Sequence, residues 1–156
     1  MGFLIALAAM VGSVVFQVVL TGLWPAAATF FDLPLIPVIY FAITRGPTWA
    51  LLMGLGAGLL EDSLEGTLLG VNALSKSLVG YLVGRLSLRF ALVPLMSRVV
   101  VLAMSTALSG AIAAGTLAIM GRSLAYSPYP DLLETILGNS AAGFLVMGAG
   151  KREGPQ

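Results

Sequence analysis

The sequence contains no cysteine and no histidine. Without cysteine there is no disulfide, no thiol nucleophile and no thiolate metal site. Without histidine, the commonest general base and transition-metal ligand are missing as well. Any enzymatic chemistry would have to run on Asp, Glu, Lys, Ser or Tyr. Charge is also scarce: 156 residues carry eight Lys/Arg and seven Asp/Glu, for a net charge of +1. Soluble domains are about a quarter charged, so a water-soluble globule of this composition could not cover its surface. Disorder is excluded too, since it requires low hydrophobicity and high charge. The balance of charge leaves no electrostatic footprint for nucleic acid. Apolar residues dominate, at 58% of the chain, with a mean hydropathy of +1.00. The expectation is a single integral membrane domain over residues 1–156, all-α and polytopic.

A membrane-spanning helix needs about 20 mostly apolar residues. Six segments read as spans: 2–23, 33–44, 47–60, 67–88, 92–120 and 132–150. The first lacks a basic leading region, so it reads as a span and not as a signal peptide. The links after spans two and four hold Arg45, Arg85 and Arg89, and Lys151 and Arg152 follow span six. The links on the opposite side hold only Arg122. The positive-inside rule then places both termini in the cytoplasm. Glu61, Asp62 and Glu65 fall together on the outer side. Trp24, Trp49, Tyr126 and Tyr129 lie near span ends, where amphipathic rings prefer to sit. Two prolines between Arg122 and Asp131 mark an outer loop.

Several residues stand out against this apolar background. Asp32 precedes Pro34 and Pro37 at the start of span two. It either caps that helix or belongs to a broken segment lining a polar cavity. Gly54, Gly56 and Gly58 share span three, and Gly80 and Gly84 share span four. Glycines four apart make a flat groove that another helix can approach, from this chain or from a partner. Glu61 and Glu65 read as solvated, whereas Asp62 is placed to turn inward and cap span four near Thr67. Lys76 lies midway along span four, where an ammonium is expensive and faces the bundle interior or snorkels. Three polar stripes appear at intervals of four: Ser13, Gln17 and Thr21; Asn72, Lys76 and Gly80; Ser105 and Ser109, with Arg98 at the head of their span snorkelling to the cytoplasmic side. Their facing one another implies helix–helix hydrogen bonding or a small-ligand cavity. No nucleophile–base pair emerges. The glycine run of span three lacks the Lys-Ser/Thr of a phosphate loop.

These residues resemble a family. Asp32-Leu-Pro34 followed by Tyr40-Phe-Ala-Ile-Thr-Arg45-Gly46-Pro47 is similar to the second span of the rod shape-determining protein MreD family. Gly54-Leu-Gly-Ala-Gly58-Leu-Leu-Glu-Asp62 resembles its glycine-rich span ending in Asp. Leu69-Gly70-Val-Asn72-Ala-Leu74 and Gly80-Tyr-Leu-Val-Gly84-Arg85 resemble its fourth span. The likeness covers about Asp32 to Arg85. Phe31 stands where the family often has Pro, and Lys76 matches no family pattern.

The resemblance implies a bacterial inner-membrane component of the cell-elongation machinery. It implies association with the bitopic protein MreC. Through MreC it implies association with RodA, a class B penicillin-binding transpeptidase and the actin-like MreB. It also implies a six-helix bundle similar to the substrate-binding component of energy-coupling-factor transporters. The expected role is a non-enzymatic scaffold without cofactor or metal, in which Gly54, Gly58, Asp62, Gly80 and Gly84 receive the partner. Asp32, Arg45, Asn72, Lys76 and Arg98 would structure the interior. A homodimer through a free glycine face fits the same pattern. The alternative is a vitamin-type substrate-binding transport component, with a cavity lined by Asp32, Asn72, Lys76 and Gln17. A lipid-modifying enzyme would have only Lys76 with Asp62 or Glu61 to offer.

Overall fold

The computed structural model describes residues 2–25, 30–66, 68–90, 94–122 and 131–149. Thr67, Tyr126, Tyr129, Lys151 and Arg152 lie outside them, as does most of the expected loop between Arg122 and Asp131. Six helices account for the regular structure among the described residues: α1 Gly2–Leu23, α2 Leu35–Arg45, α3 Pro47–Glu65, α4 Val71–Ser87, α5 Leu95–Ile119 and α6 Leu132–Ala149. By length and composition, α5 is the one described helix long and apolar enough to cross a membrane.

The helix ends follow local chemistry. Gly46, at φ +91°, turns the chain between Arg45 and Pro47. Pro47 then opens α3, where its missing N–H goes unused. Helix α3 runs past Leu60 to Glu65 and stops at Gly66, whose left-handed φ of +66° terminates it. The expected solvent boundary at Leu60 therefore moves a turn further along. Helix α4 starts at Val71, behind Gly70 at φ +101°.

Short helix α2 sits at the centre. Its Leu35, Ile39 and Ala42 pack with Ala50 of α3, Val79 and Val83 of α4, and Leu102 of α5. Val38 joins Met10 and Val14 of α1 to Met53 and Ala57 of α3. Val71 meets Ala113 and Leu117 of α5 at the other end. The outward faces are also apolar: Leu4, Phe16, Leu52, Leu82, Met104 and Leu145 are all exposed. Large apolar side chains therefore lie outside as well as inside while several polar ones are buried, an arrangement that calls for a lipid or protein covering.

Helices α3 and α4 are antiparallel and share a seam of glycines. A Cβ on Gly54 would come within 2.5 Å of the Lys76 carbonyl oxygen. One on Gly80 would come within 2.8 Å of the Ala50 carbonyl oxygen. Gly58 is pressed against the backbone of Asn72 and Ala73, and Gly84 against Pro47. Two glycines from each helix thus bring the backbones together along one line. Of the two occupants that the sequence leaves open for these grooves, a helix of this chain or of a partner, the backbone found against these four glycines is the chain's own.

Candidate functional site

A buried polar centre lies where the segment preceding α2 passes between the other helices. Residues Phe31 to Leu33 are non-helical, and backbone polar groups there need partners that a helix would otherwise supply. Side-chain amides supply them. Gln17 on α1 donates from Nε2 to the Phe31 carbonyl at 2.7 Å and accepts from the Leu33 N–H at 3.2 Å. Asn139 on α6 accepts the Asp32 N–H at 2.8 Å through Oδ1. Its Nδ2 donates to Thr106 Oγ1 on α5 at 3.1 Å. One irregular turn is thereby held from both sides.

The Asp32 carboxylate does not cap α2, contrary to the helix-cap expectation. The cap position belongs to Pro34, and the first turn closes on the Asp32 backbone carbonyl, which accepts from Leu35 at 3.2 Å. The carboxylate instead pairs with Lys76, its Oδ1 lying 2.9 Å from Nζ. Lys76 also forms an ion pair with Glu61. All three are inside: Lys76 is 0% exposed, Asp32 3% and Glu61 4%. The reading of Glu61 as solvated is therefore wrong. As α3 continues past Leu60, Glu61 falls on the face that meets α4 and joins Asp32 in pairing with the buried Lys76 ammonium. Glu65, a turn later, is half-buried.

Asp62 does turn inward as expected. It accepts from the Gly70 N–H at 2.7 Å and from the Asn72 N–H at 3.3 Å. A carboxylate there satisfies donors that no helical carbonyl reaches and sits at the positive end of the α4 dipole. Asp62→Ala is expected to destabilise the protein by about 1–2 kcal/mol, read as a lowered thermal midpoint of the detergent-solubilised protein.

Of the expected interior residues, the structure brings Asp32, Asn72 and Lys76 into this region. Arg45 is exposed at the end of α2, and Arg98 is half-buried near the start of α5. Among the polar stripes, Gln17 reaches the centre while Ser13 and Thr21 bond to their own helix. Sequence reasoning missed Asn139 and Thr106. The available signal was an isolated amide in an otherwise apolar span, which must find a partner when buried. Gly138 next to it lets α6 approach the backbone of Phe30. Among the described residues no group of three or more acidic, His or Cys side chains has the arrangement of a metal site. The arrangement joins the 31–33 segment to α1, α4 and α6 directly, and through them to α3 and α5, by charge and amide contacts, and among the described residues it presents no activated nucleophile.

A family model described as rod shape-determining protein MreD matches residues 1–147. Comparison with curated proteins and with solved structures finds no match.

Proposed function

The chain belongs to the MreD family of rod shape-determining proteins, and from that premise we propose that it is a multi-pass scaffold receiving the transmembrane helix of MreC. The family is a membrane component of the bacterial shape complex, with a structural and not a catalytic role. The finer reading adds six spans with both termini in the cytoplasm, and links through MreC to RodA, a class B penicillin-binding transpeptidase and MreB. Two features support it. Basic residues recur in alternate links of the sequence, and apolar side chains cover the outward faces. The same proposal includes a six-helix arrangement like that of the transporter substrate-binding component. The small-molecule transport role itself gains no support.

The observation that carries the scaffold reading is an apolar groove between α1 and α3. It has a volume of about 330 Å³ and is lined by Leu7, Met10, Trp49, Leu52, Met53 and Gly56. Gly56 lies on the opposite side of α3 from the glycine seam, and only the Met10 side chain comes near it. A small residue flanked by apolar walls is what a second transmembrane helix can pack against. Gly56→Leu fills this groove and is expected to reduce MreC co-purification in mild detergent about tenfold, a loss of about 1.4 kcal/mol. Gly115→Leu, on an open face of α5, should leave it unchanged. Equal MreC recovery with both variants would overturn the assignment of the groove.

A further inference from the structure

Acidic and basic groups divide between the two ends of the bundle. Every acidic residue among the described ones lies at one end: Asp32 before α2, Glu61, Asp62 and Glu65 in the last turns of α3, and Asp131 and Glu134 at the start of α6. Asp62 reaches the start of α4, and Leu132 packs beside Val71, so these positions share an end. Arg45, Arg85 and Arg89 lie at the other. Arg45 ends α2, Arg85 is in the last turn of α4, and the Arg89 N–H bonds to the Leu86 carbonyl in the turn that follows.

Arg45 and Arg85 are far apart in sequence, and packing brings them together. A Cβ on Gly84 would lie 3.0 Å from the Gly46 carbonyl carbon, so the residues beside Arg45 and Arg85 meet through their backbones. Ser87, between Arg85 and Arg89, donates from Oγ to the Ala42 carbonyl at 3.1 Å. All three arginines are exposed. None of them forms an ion pair with a carboxylate among the described residues. The ends of α2 and α4 carry only partial negative charge, so the patch keeps a net positive charge.

A second feature says what covers this patch. Helix α4 exposes Leu74, Leu78, Leu82 and Leu86, which at intervals of four form one apolar strip along its outward face. Arg85 and Arg89 flank the end of that strip. Guanidinium groups at the end of an apolar face match a phospholipid, with its acyl chain along the leucines and its phosphate among the arginines. Gly46 alone joins α2 to α3. Arg45 is therefore held level with the helix ends, where headgroups lie, and not on a loop that reaches towards an aqueous partner.

We propose that Arg45, Arg85 and Arg89 bind the headgroup of an anionic phospholipid whose acyl chain lies along Leu78, Leu82 and Leu86. The bound phosphate ties the end of α2 to the end of α4, at the opposite end of the bundle from Asp62. This inference rests on the multi-pass reading and not on MreC.

The test is the thermal midpoint of the full-length protein in mixed micelles of a neutral detergent and phospholipid. Replacing phosphatidylcholine by phosphatidylglycerol is expected to raise it by about 4 °C, and added sodium chloride should shrink the rise by screening. R45Q/R85Q should lose more than half of the rise. R85Q/R89Q carries the same expectation should the first pair not purify as folded protein. Arg122→Gln, exposed beyond the end of α5 at the acidic end, should keep the rise whole. No rise in the native protein, or a full rise in the folded paired variant, overturns the proposal. An equal or larger rise with inorganic phosphate or polyglutamate in phosphatidylcholine micelles also overturns it, assigning the patch to a free anion or to an acidic protein segment. MreC recovery with Gly56→Leu is read separately, so the lipid site and the scaffold reading can fail independently.

Discussion

Lys76→Met is expected to destabilise the protein by about 3–5 kcal/mol, the usual consequence of removing one partner from a buried ion pair. For a chain of this size that is a fall on the order of 10 °C in the thermal midpoint. The reason is not the loss of attraction alone. Lys76 is the ammonium that both Asp32 and Glu61 meet. Without it, two carboxylates remain buried in an apolar bundle, and the segment before α2 loses its tie to α4. The triple variant D32N/E61Q/K76M separates the two contributions. Replacing all three charges removes the desolvation penalty together with the attraction, so most of the lost stability should return. A triple variant as unstable as K76M would show that the charges themselves, and not their balance, hold the centre. Arg45→Ala is the control. Arg45 is exposed at the end of α2, and surface changes of this kind fall within about ±0.5 kcal/mol.

Much of the helical organisation is legible because an apolar run bounded by glycine, proline or charge has few alternatives. The six helices lie where the apolar segments fall, and Asp62 turns onto the start of α4 as its position after the glycine run implied. The misreadings have a common cause. Hydropathy ends the span of Glu61 at Leu60 and so puts its carboxylate in solvent, because it counts a charge against a span whether or not it is paired. Pairing across fifteen positions leaves no local trace: nothing near Lys76 announces Glu61, and nothing near Asp32 announces Asn139. Lys76 was marked as costly from its position alone. What remained open was which carboxylates would meet it, and that depends on the antiparallel register of α3 and α4. Asp32 likewise carried the composition of a helix cap. The deciding fact was that an ammonium lay within reach of its carboxylate, so its backbone carbonyl closed the first turn instead.

The same register decides what the glycines are for, and Gly58→Ala tests it. The substitution is expected to lower the stability of the isolated protein by at least about 1–3 kcal/mol, the range for overpacking. A methyl group there meets the backbone of Asn72 and Ala73. Backbone cannot rotate aside as a side chain can, so α3 and α4 must separate along the seam. Separation would also strain the Lys76–Glu61 ion pair and the Asp62 contacts, which bridge the same two helices. Gly12→Ala on α1 predicts the opposite sign. Nothing lies within 4 Å of a Cβ at Gly12, and glycine within a helix is less stable than alanine by about 0.5–1 kcal/mol. The contrast separates two meanings of one motif. A seam that closes the bundle makes Gly58→Ala unstable with no partner present. A groove reserved for a partner would leave the isolated protein's midpoint unchanged and lower only MreC co-purification. Thermal unfolding of the purified variants, followed by co-purification of those that fold, distinguishes the two. The close approach of backbone at Gly54, Gly58, Gly80 and Gly84 favours the first.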